Sequence, residues 1–149
     1  MIDLRELYQE VILDHNRSPR NRGRVDAPTG YAEGHNPLCG DTVTVTLRTE
    51  NGLLTEIAFE GAGCAVSTAS ASLMTVAVKG KTVEQAESIF RDFQSLVTDS
   101  EDEREHPDLG DLEVLAGVRA YPVRIKCATL PWHTLNAALH GDQTGVTTE

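Results

Sequence analysis

The sequence predicts an α+β fold in which helices pack on one face of a small antiparallel three-stranded sheet. Two strand-forming segments flank an Asn-Gly dipeptide at positions 51–52, and this dipeptide is a strong signal for a β-hairpin. Hydrophobic residues make up 40% of the 149 residues, which is enough for the core of one domain. We expect that domain to span residues 1–141, with a disordered tail over 142–149.

The first half of the chain predicts one helix and then the sheet. Residues 3–15 repeat apolar side chains at i, i+3, i+4, i+7 and i+8, which predicts an amphipathic helix with Asp3 as its N-cap. Residues 42–49 alternate Val and Leu with Thr and predict a half-buried strand. The chain is expected to return as a second strand over 53–60, and a weaker signal places a third strand at 29–35.

The second half of the chain is predominantly helical in its pattern. The segment "YPVRIK" at 121–126 is predicted to be extended, so that the last helix begins at the cysteine that follows it. The predicted helices are 65–78, 82–96 with Thr82 or its neighbour as the cap, 109–117, and a last helix beginning at Cys127.

Charge and hydropathy exclude several classes of function. Thirteen Lys and Arg against 23 Asp and Glu give a formal charge of −10, which argues against a nucleic-acid binder and against a membrane-surface role. No apolar run approaches the roughly 20 residues of a membrane span, and no signal-peptide stretch opens the chain, so we expect a cytoplasmic protein. One short basic stretch, "NRSPRNRGR" at 16–24, is either a solvated loop or a docking patch.

Three cysteines stand at predicted element boundaries. Cys39 precedes a strand, Cys64 follows two glycines and opens a helix, and Cys127 opens the last helix. Cytosolic thiols are kept reduced, so metal binding or nucleophilic chemistry is favoured over disulfides. The cysteine spacing matches no local zinc-finger pattern, and three separate buried cysteines remain an alternative.

Asp41 favours a joint site for the cysteines. In an extended segment the side chains of Cys39 and Asp41 project to the same side. With the other two cysteines they would supply the four ligands that tetrahedral Zn²⁺ takes. Asp41 is equally well explained as a turn residue after Gly40, and the residues alone leave both interpretations open.

Four motifs together resemble the SufU/IscU group of iron–sulfur cluster assembly proteins, a NifU N-terminal-like family. The resemblance is closer to SufU, because Lys126 stands where IscU-type scaffolds carry histidine, and because residues 90–120 resemble the SufU-type insertion. The motifs are "LYQEVILDHNRSPRNRG" at 7–23, "NPLCGD" at 36–41, "FEGAGCAVSTASASLMT" at 59–75 and "VRIKCATLPWHTL" at 123–135.

The resemblance implies a zinc site made of Cys39, Asp41, Cys64 and Cys127. It implies that Cys39 accepts persulfide sulfur from a SufS-type cysteine desulfurase, a pyridoxal-phosphate enzyme, and that downstream iron–sulfur scaffold proteins receive it. A histidine of the desulfurase would take the place of Cys39 on zinc. The resemblance also implies that Arg124 lies near the acceptor thiolate.

Two other functions fit the same residues. The three cysteines and the aspartate could form a scaffold that assembles and carries a [2Fe–2S] cluster, since thiolates suit iron as well as zinc. The absence of histidine at position 126 argues against this scaffold. A structural zinc module that activates its partner allosterically is the third hypothesis, and loss of all transfer in Cys39→Ala would exclude it.

Overall fold

The structure, a computed structural model, describes residues 4–37, 40–98, 109–141 and 146–147. The predicted N-cap Asp3 and the predicted ligand Cys39 lie outside these ranges. Within them the elements follow in the order α1 (Leu4–Arg17), β1 (Gly30–Asn36), β2 (Asp41–Glu50), β3 (Leu53–Ala62), α2 (Ala65–Val78), α3 (Val83–Thr98), a 3₁₀ helix (Gly110–Ala120), α4 (Pro122–Leu139) and β4 (Val146–Thr147).

The sheet confirms the predicted antiparallel three-stranded core. Its order is β3-β2-β1-β4, and β2 pairs antiparallel with both β1 and β3. At the hairpin turn Asn51 has φ 54° and Gly52 has φ 78°, the two positive angles for which Asn-Gly is suited. Beyond the predicted domain boundary at residue 141, Val146–Thr147 pair in parallel with β1.

Helices α2 and α4 cover one face of the sheet and carry much of the core. Helix α2 is rich in Ala and Ser, which allows its backbone to approach α4 closely. The indole Nε1 of Trp132 donates to Ser70 Oγ at 3.2 Å, and Ser70 Oγ donates to the carbonyl of Ala128 at 2.5 Å. The fully buried Trp132 ring stacks on Phe93 of α3, so α3 closes the core on its outer side.

Helix α4 differs from the sequence prediction. It begins at Pro122, so the segment "YPVRIK" is helical from its second residue, and Cys127 lies in the second turn. Proline suits the first helical position because its φ is already helical and its missing N–H would have no partner there. The prediction of an extended segment at 121–126 is therefore wrong from Pro122 onward, because this proline begins the helix.

The remaining helices agree with the prediction apart from their ends. Thr82 and Gln85 form a capping box at the start of α3, in which each side chain bonds the other's backbone N–H at 3.1 and 2.9 Å. The helix expected at 109–117 is a 3₁₀ helix that continues to Ala120. Within the described ranges, no helix combines the length and the apolar character needed to cross a membrane.

Candidate metal centre

Three of the four predicted ligands converge at one end of the sheet. A carboxylate oxygen of Asp41 and the Sγ atoms of Cys64 and Cys127 all lie within 4.8 Å of one another. Asp41 is the first residue of β2, Cys64 stands between β3 and α2, and Cys127 lies on the sheet side of α4. Three different elements therefore build one site. The fourth predicted ligand, Cys39, lies outside the described residues.

Cys64 is held at the start of helix α2. It is the N-cap residue, and its Sγ accepts a hydrogen bond from the backbone N–H of Ser67 at 3.4 Å. The positive end of the helix dipole favours a negative charge at this position. The residue is exposed, whereas Cys127 is only 2% exposed. The site therefore has a closed side at α4 and an open side at Cys64.

Asp41 is fully buried and is oriented by the backbone. Its Oδ1 accepts from the Cys64 N–H at 2.9 Å, and its Oδ2 lies 3.8 Å from Cys64 Sγ. A Cβ atom on Gly63 would stand 2.9 Å from Asp41 Oδ1, so only glycine leaves room for this carboxylate. The contact explains why a glycine precedes Cys64.

The donor set fits a metal cation. Asp41 takes part in none of the ion pairs found within the described ranges, although burying an unpaired carboxylate is costly. A cation bound by the carboxylate and two thiolates would offset that cost. Zinc bonds of about 2.0–2.3 Å place neighbouring tetrahedral ligands about 3.6 Å apart. The 3.8 Å between Asp41 Oδ2 and Cys64 Sγ is close to this value.

Asn36 is a residue near the site whose role sequence reasoning missed. It pairs with Asp41 across the β1–β2 ladder, its side chain is fully buried, and its Nδ2 donates to Cys127 Sγ at 3.8 Å. The available signal was its place in the "NPLCGD" motif, five residues before Asp41. Only the strand register shows that it faces the site.

Arg124 lies one helical turn before Cys127 on α4. It is exposed, and its guanidinium carbon stands 5.1 Å from the centroid of the Tyr121 ring. Arg124 and Lys126 do not share a face of α4, because residues two positions apart on a helix are separated by about 200° around its axis. Residues three apart are neighbours on a helix, so Arg124 is on the Cys127 side.

The basic stretch 16–24 is held against α2 and β3. Arg20 pairs with Asp14 at 2.7 Å, and Arg24 pairs with Glu60, which neutralises two of its cations. Arg17 and Arg22 are exposed. Arg22 lines a cleft with Gly63 and Ser67, so it lies on the side of the molecule where the three predicted ligands converge.

Comparison with known proteins identifies the family. Residues 7–128 match the model of the NifU-like N-terminal domain. The chain belongs to the NifU-like N-terminal domain family. This membership, together with the relatives described next, confirms the resemblance to the SufU/IscU group.

Family relatives carry names of two kinds. Over 143 residues, which are 96% of each chain, the protein is 40% identical to the zinc-dependent sulfurtransferase SufU of Bacillus subtilis strain 168. It is also 40% identical over 136 residues to the iron–sulfur cluster assembly scaffold protein IscU of Streptococcus pyogenes serotype M1, which covers 91% of this chain and 84% of the relative.

The fold is shared with a solved family structure. The crystal structure of FiSufU, a candidate SUF-system cluster assembly scaffold from Fervidobacterium islandicum AW-1, superposes with a TM-score of 0.82 at 32% identity. The match covers 90% of this chain and 97% of FiSufU. The NifU-like fold therefore extends over nearly the whole described chain.

Proposed function

We propose that this family member is a zinc-dependent sulfur carrier of iron–sulfur cluster assembly. In this proposal Cys39 accepts sulfur from the persulfide of a SufS-type cysteine desulfurase and hands it to a downstream scaffold protein. The observation that carries the proposal is the convergence of Asp41, Cys64 and Cys127 within 4.8 Å. A reducing cytoplasm would keep the thiols available for this chemistry.

Asp41, Cys64 and Cys127 would hold zinc, with Cys39 as the fourth ligand. Zinc binding keeps coordinating thiols deprotonated at neutral pH, and the thiolate is the nucleophilic form of cysteine. Asp41 is held by its Oδ1, which leaves Oδ2 on the side of Cys64 for the metal. The buried ligands Asp41 and Cys127 would anchor the zinc. Cys39, two residues before Asp41, would be the ligand that reacts with the partner.

The transfer itself is a thiol–persulfide exchange. The Cys39 thiolate attacks the terminal sulfur of the desulfurase persulfide, forming a new S–S bond on Cys39. The S–S bond of the donor breaks, and its electron pair leaves with the donor cysteine as a thiolate. The reaction is balanced without an external oxidant or reductant. Arg124, on the Cys127 side of α4, supplies a cation for the anionic groups that meet there.

A scaffold for a [2Fe–2S] cluster is the second candidate. The Streptococcus pyogenes relative bears that name at the same 40% identity, and thiolates bind iron–sulfur clusters as well as zinc. Lys126, which stands where IscU-type scaffolds carry histidine, supports the zinc-dependent sulfur carrier over the cluster scaffold. Elemental analysis separates the two functions.

The test begins with metal and acid-labile sulfide in anaerobically purified protein. The proposal expects about one zinc per chain and no sulfide, consistent with a four-ligand site. Iron and sulfide in equal amounts would overturn it in favour of the scaffold.

The second stage of the test measures sulfur transfer. With a SufS-type desulfurase and cysteine, mass spectrometry after alkylation should find one added sulfur on Cys39. Cys39→Ala should abolish both the added sulfur and the stimulation of desulfurase turnover. The buried ligand Cys127 is still present in this variant and serves as the internal control for the site of sulfur addition. Persistent stimulation by Cys39→Ala would identify a structural zinc module instead.

A further inference from the structure

Asn36 places a buried amide beside the metal centre. It is the last residue of β1 and stands opposite Asp41 in the β1–β2 ladder. Its side chain is fully buried, and buried amides are retained where they make hydrogen bonds. The Nδ2 group lies 3.8 Å from Cys127 Sγ and donates to it. This hydrogen bond joins the sheet to the second turn of α4.

The described ligands share one pattern of support, since each accepts an N–H hydrogen bond from the protein. Asp41 accepts from the backbone N–H of Cys64, and Cys64 accepts from the backbone N–H of Ser67. Cys127 accepts from the side chain of Asn36. Two of these donors belong to the main chain and survive most substitutions. The donor to Cys127 is a side chain, so this hydrogen bond depends on which residue occupies position 36.

We propose that Asn36 is a positioning residue of the metal centre, which acts through the sulfur of Cys127. Its N–H fixes the direction of the sulfur lone pairs and stabilises the negative charge of a metal-bound thiolate. Cys127 thereby remains an anchor of the site. The inference rests on the proposed function in taking Asp41, Cys64 and Cys127 as metal ligands.

The position of the amide explains why a side chain is needed here. Cys64 is an N-cap and meets the free N–H groups at the start of α2, as every helix N-terminus offers. Cys127 lies in the second turn of α4, where backbone N–H groups are engaged within the helix. A donor for its sulfur therefore comes from another element, and β1 supplies it.

The test compares the wild-type chain with Asn36→Leu, which removes the amide at similar side-chain length. Zinc affinity is measured by competition with a chromophoric chelator, and Co²⁺ is used as a spectroscopic probe. We expect zinc to bind about 10–100-fold more weakly, the usual effect of losing an outer hydrogen bond at a metal site. The sulfur-to-cobalt charge-transfer band should also move to lower energy, because the sulfur becomes a stronger electron donor.

Thr134→Val is the matched control. Thr134 is fully buried, lies on α4 opposite Gly34 of β1, and donates to the Leu130 carbonyl at 2.8 Å. Its replacement removes a buried polar group from the same β1–α4 contact without touching a ligand. Zinc affinity and the cobalt spectrum of this variant should match those of the wild type.

The outcomes separate the inference from the proposed function. Wild-type affinity and an unshifted cobalt band in Asn36→Leu would overturn the inference alone, as would equal losses in Thr134→Val. A wild-type chain that binds neither ion would overturn the proposed function and the inference together. If Asn36→Leu does not fold, Asn36→Ala removes the donor without adding bulk and is judged by the same two measurements.

Discussion

His15 of α1 and Ser72 of α2 form a buried hydrogen bond, with 2.7 Å between Nδ1 and Oγ. The backbone N–H of Arg20 donates to the same Ser72 oxygen at 2.8 Å. The hydroxyl therefore accepts from Arg20 and has its proton free for His15, which suits a neutral imidazole. Burial lowers the pKa of His15 below its ordinary value, and the Arg20 charge lowers it further.

The first prediction is that stability declines in mild acid because of His15. Its pKa is lower in the folded state than the value of about 6.5 in the unfolded chain, so the unfolded state binds more protons. Its contribution is fully present above pH 6.5 and is lost as the pH falls toward the lowered folded pKa. Urea unfolding at a series of pH values should show a smaller loss in His15→Gln than in the wild type.

His133 supplies the control for this experiment. Burial also lowers its pKa, and it packs edge-on against Phe90. It contributes to the same pH window and is unchanged in His15→Gln, so that variant loses one of the two histidines whose pKa is lowered within the described ranges. Equal pH slopes in the wild type and His15→Gln would show that His15 is not the titrating group.

The second prediction concerns the space beside the carboxylate of Asp41. Gly63→Ala places a Cβ 2.9 Å from Asp41 Oδ1, which must displace the carboxylate from the Cys64 N–H. Metal affinity should fall by at least tenfold, as for other disturbed metal ligands. Gly52→Ala is the control, because its φ of 78° strains the hairpin turn instead. That variant should lose about 1 kcal/mol of stability and keep its metal affinity.

The third prediction is that Asp41 makes the site labile. In the proposed zinc site it would be the one oxygen ligand among sulfur ligands, and zinc is held more firmly by thiolates. We expect Asp41→Cys, which replaces the carboxylate by a thiolate, to release zinc to a chelator more slowly than the wild type and to transfer sulfur more slowly. Zinc release and persulfide formation on Cys39 are measured on the same preparation. Sulfur transfer at the wild-type rate would contradict this role.

The fourth prediction tests the basic stretch as a docking patch for the desulfurase. Arg17 and Arg22 are exposed, and neither forms an ion pair within the described ranges. Reversal of both charges to Glu should weaken desulfurase binding, mainly through slower association at low salt. Reversal at Arg20 would add a loss of stability, because it also breaks the pair with Asp14.

Reversal of Lys79 and Lys81 to Glu is the matched control for this charge reversal. Both lysines are exposed, neither forms an ion pair within the described ranges, and they follow the C-terminal end of α2, away from Cys64 at its start. Surface plasmon resonance at two salt concentrations compares the variants. An unchanged affinity after reversal of Arg17 and Arg22 would remove the basic stretch from the interface.

Local features of the fold could be predicted because they depend on short-range rules. The Asn51–Gly52 turn needs two positive φ angles, and the alternation on either side sets which face of the hairpin is buried. The cap at Thr82 depends on a residue three positions later. The start of α4 was predicted at Cys127 and lies at Pro122, although a proline at the first helical position is itself a local start signal.

The sequence by itself determined the α+β class, the hairpin, the family and the identity of the candidate ligands. These depend on residue type and on spacing along the chain. The tertiary structure decided that Asp41, Cys64 and Cys127 meet, that Asn36 donates a hydrogen bond to Cys127, and that His15 is buried against Ser72. Each of these contacts joins residues distant in sequence, and only the packing of α1, α2 and α4 with the sheet brings their atoms together.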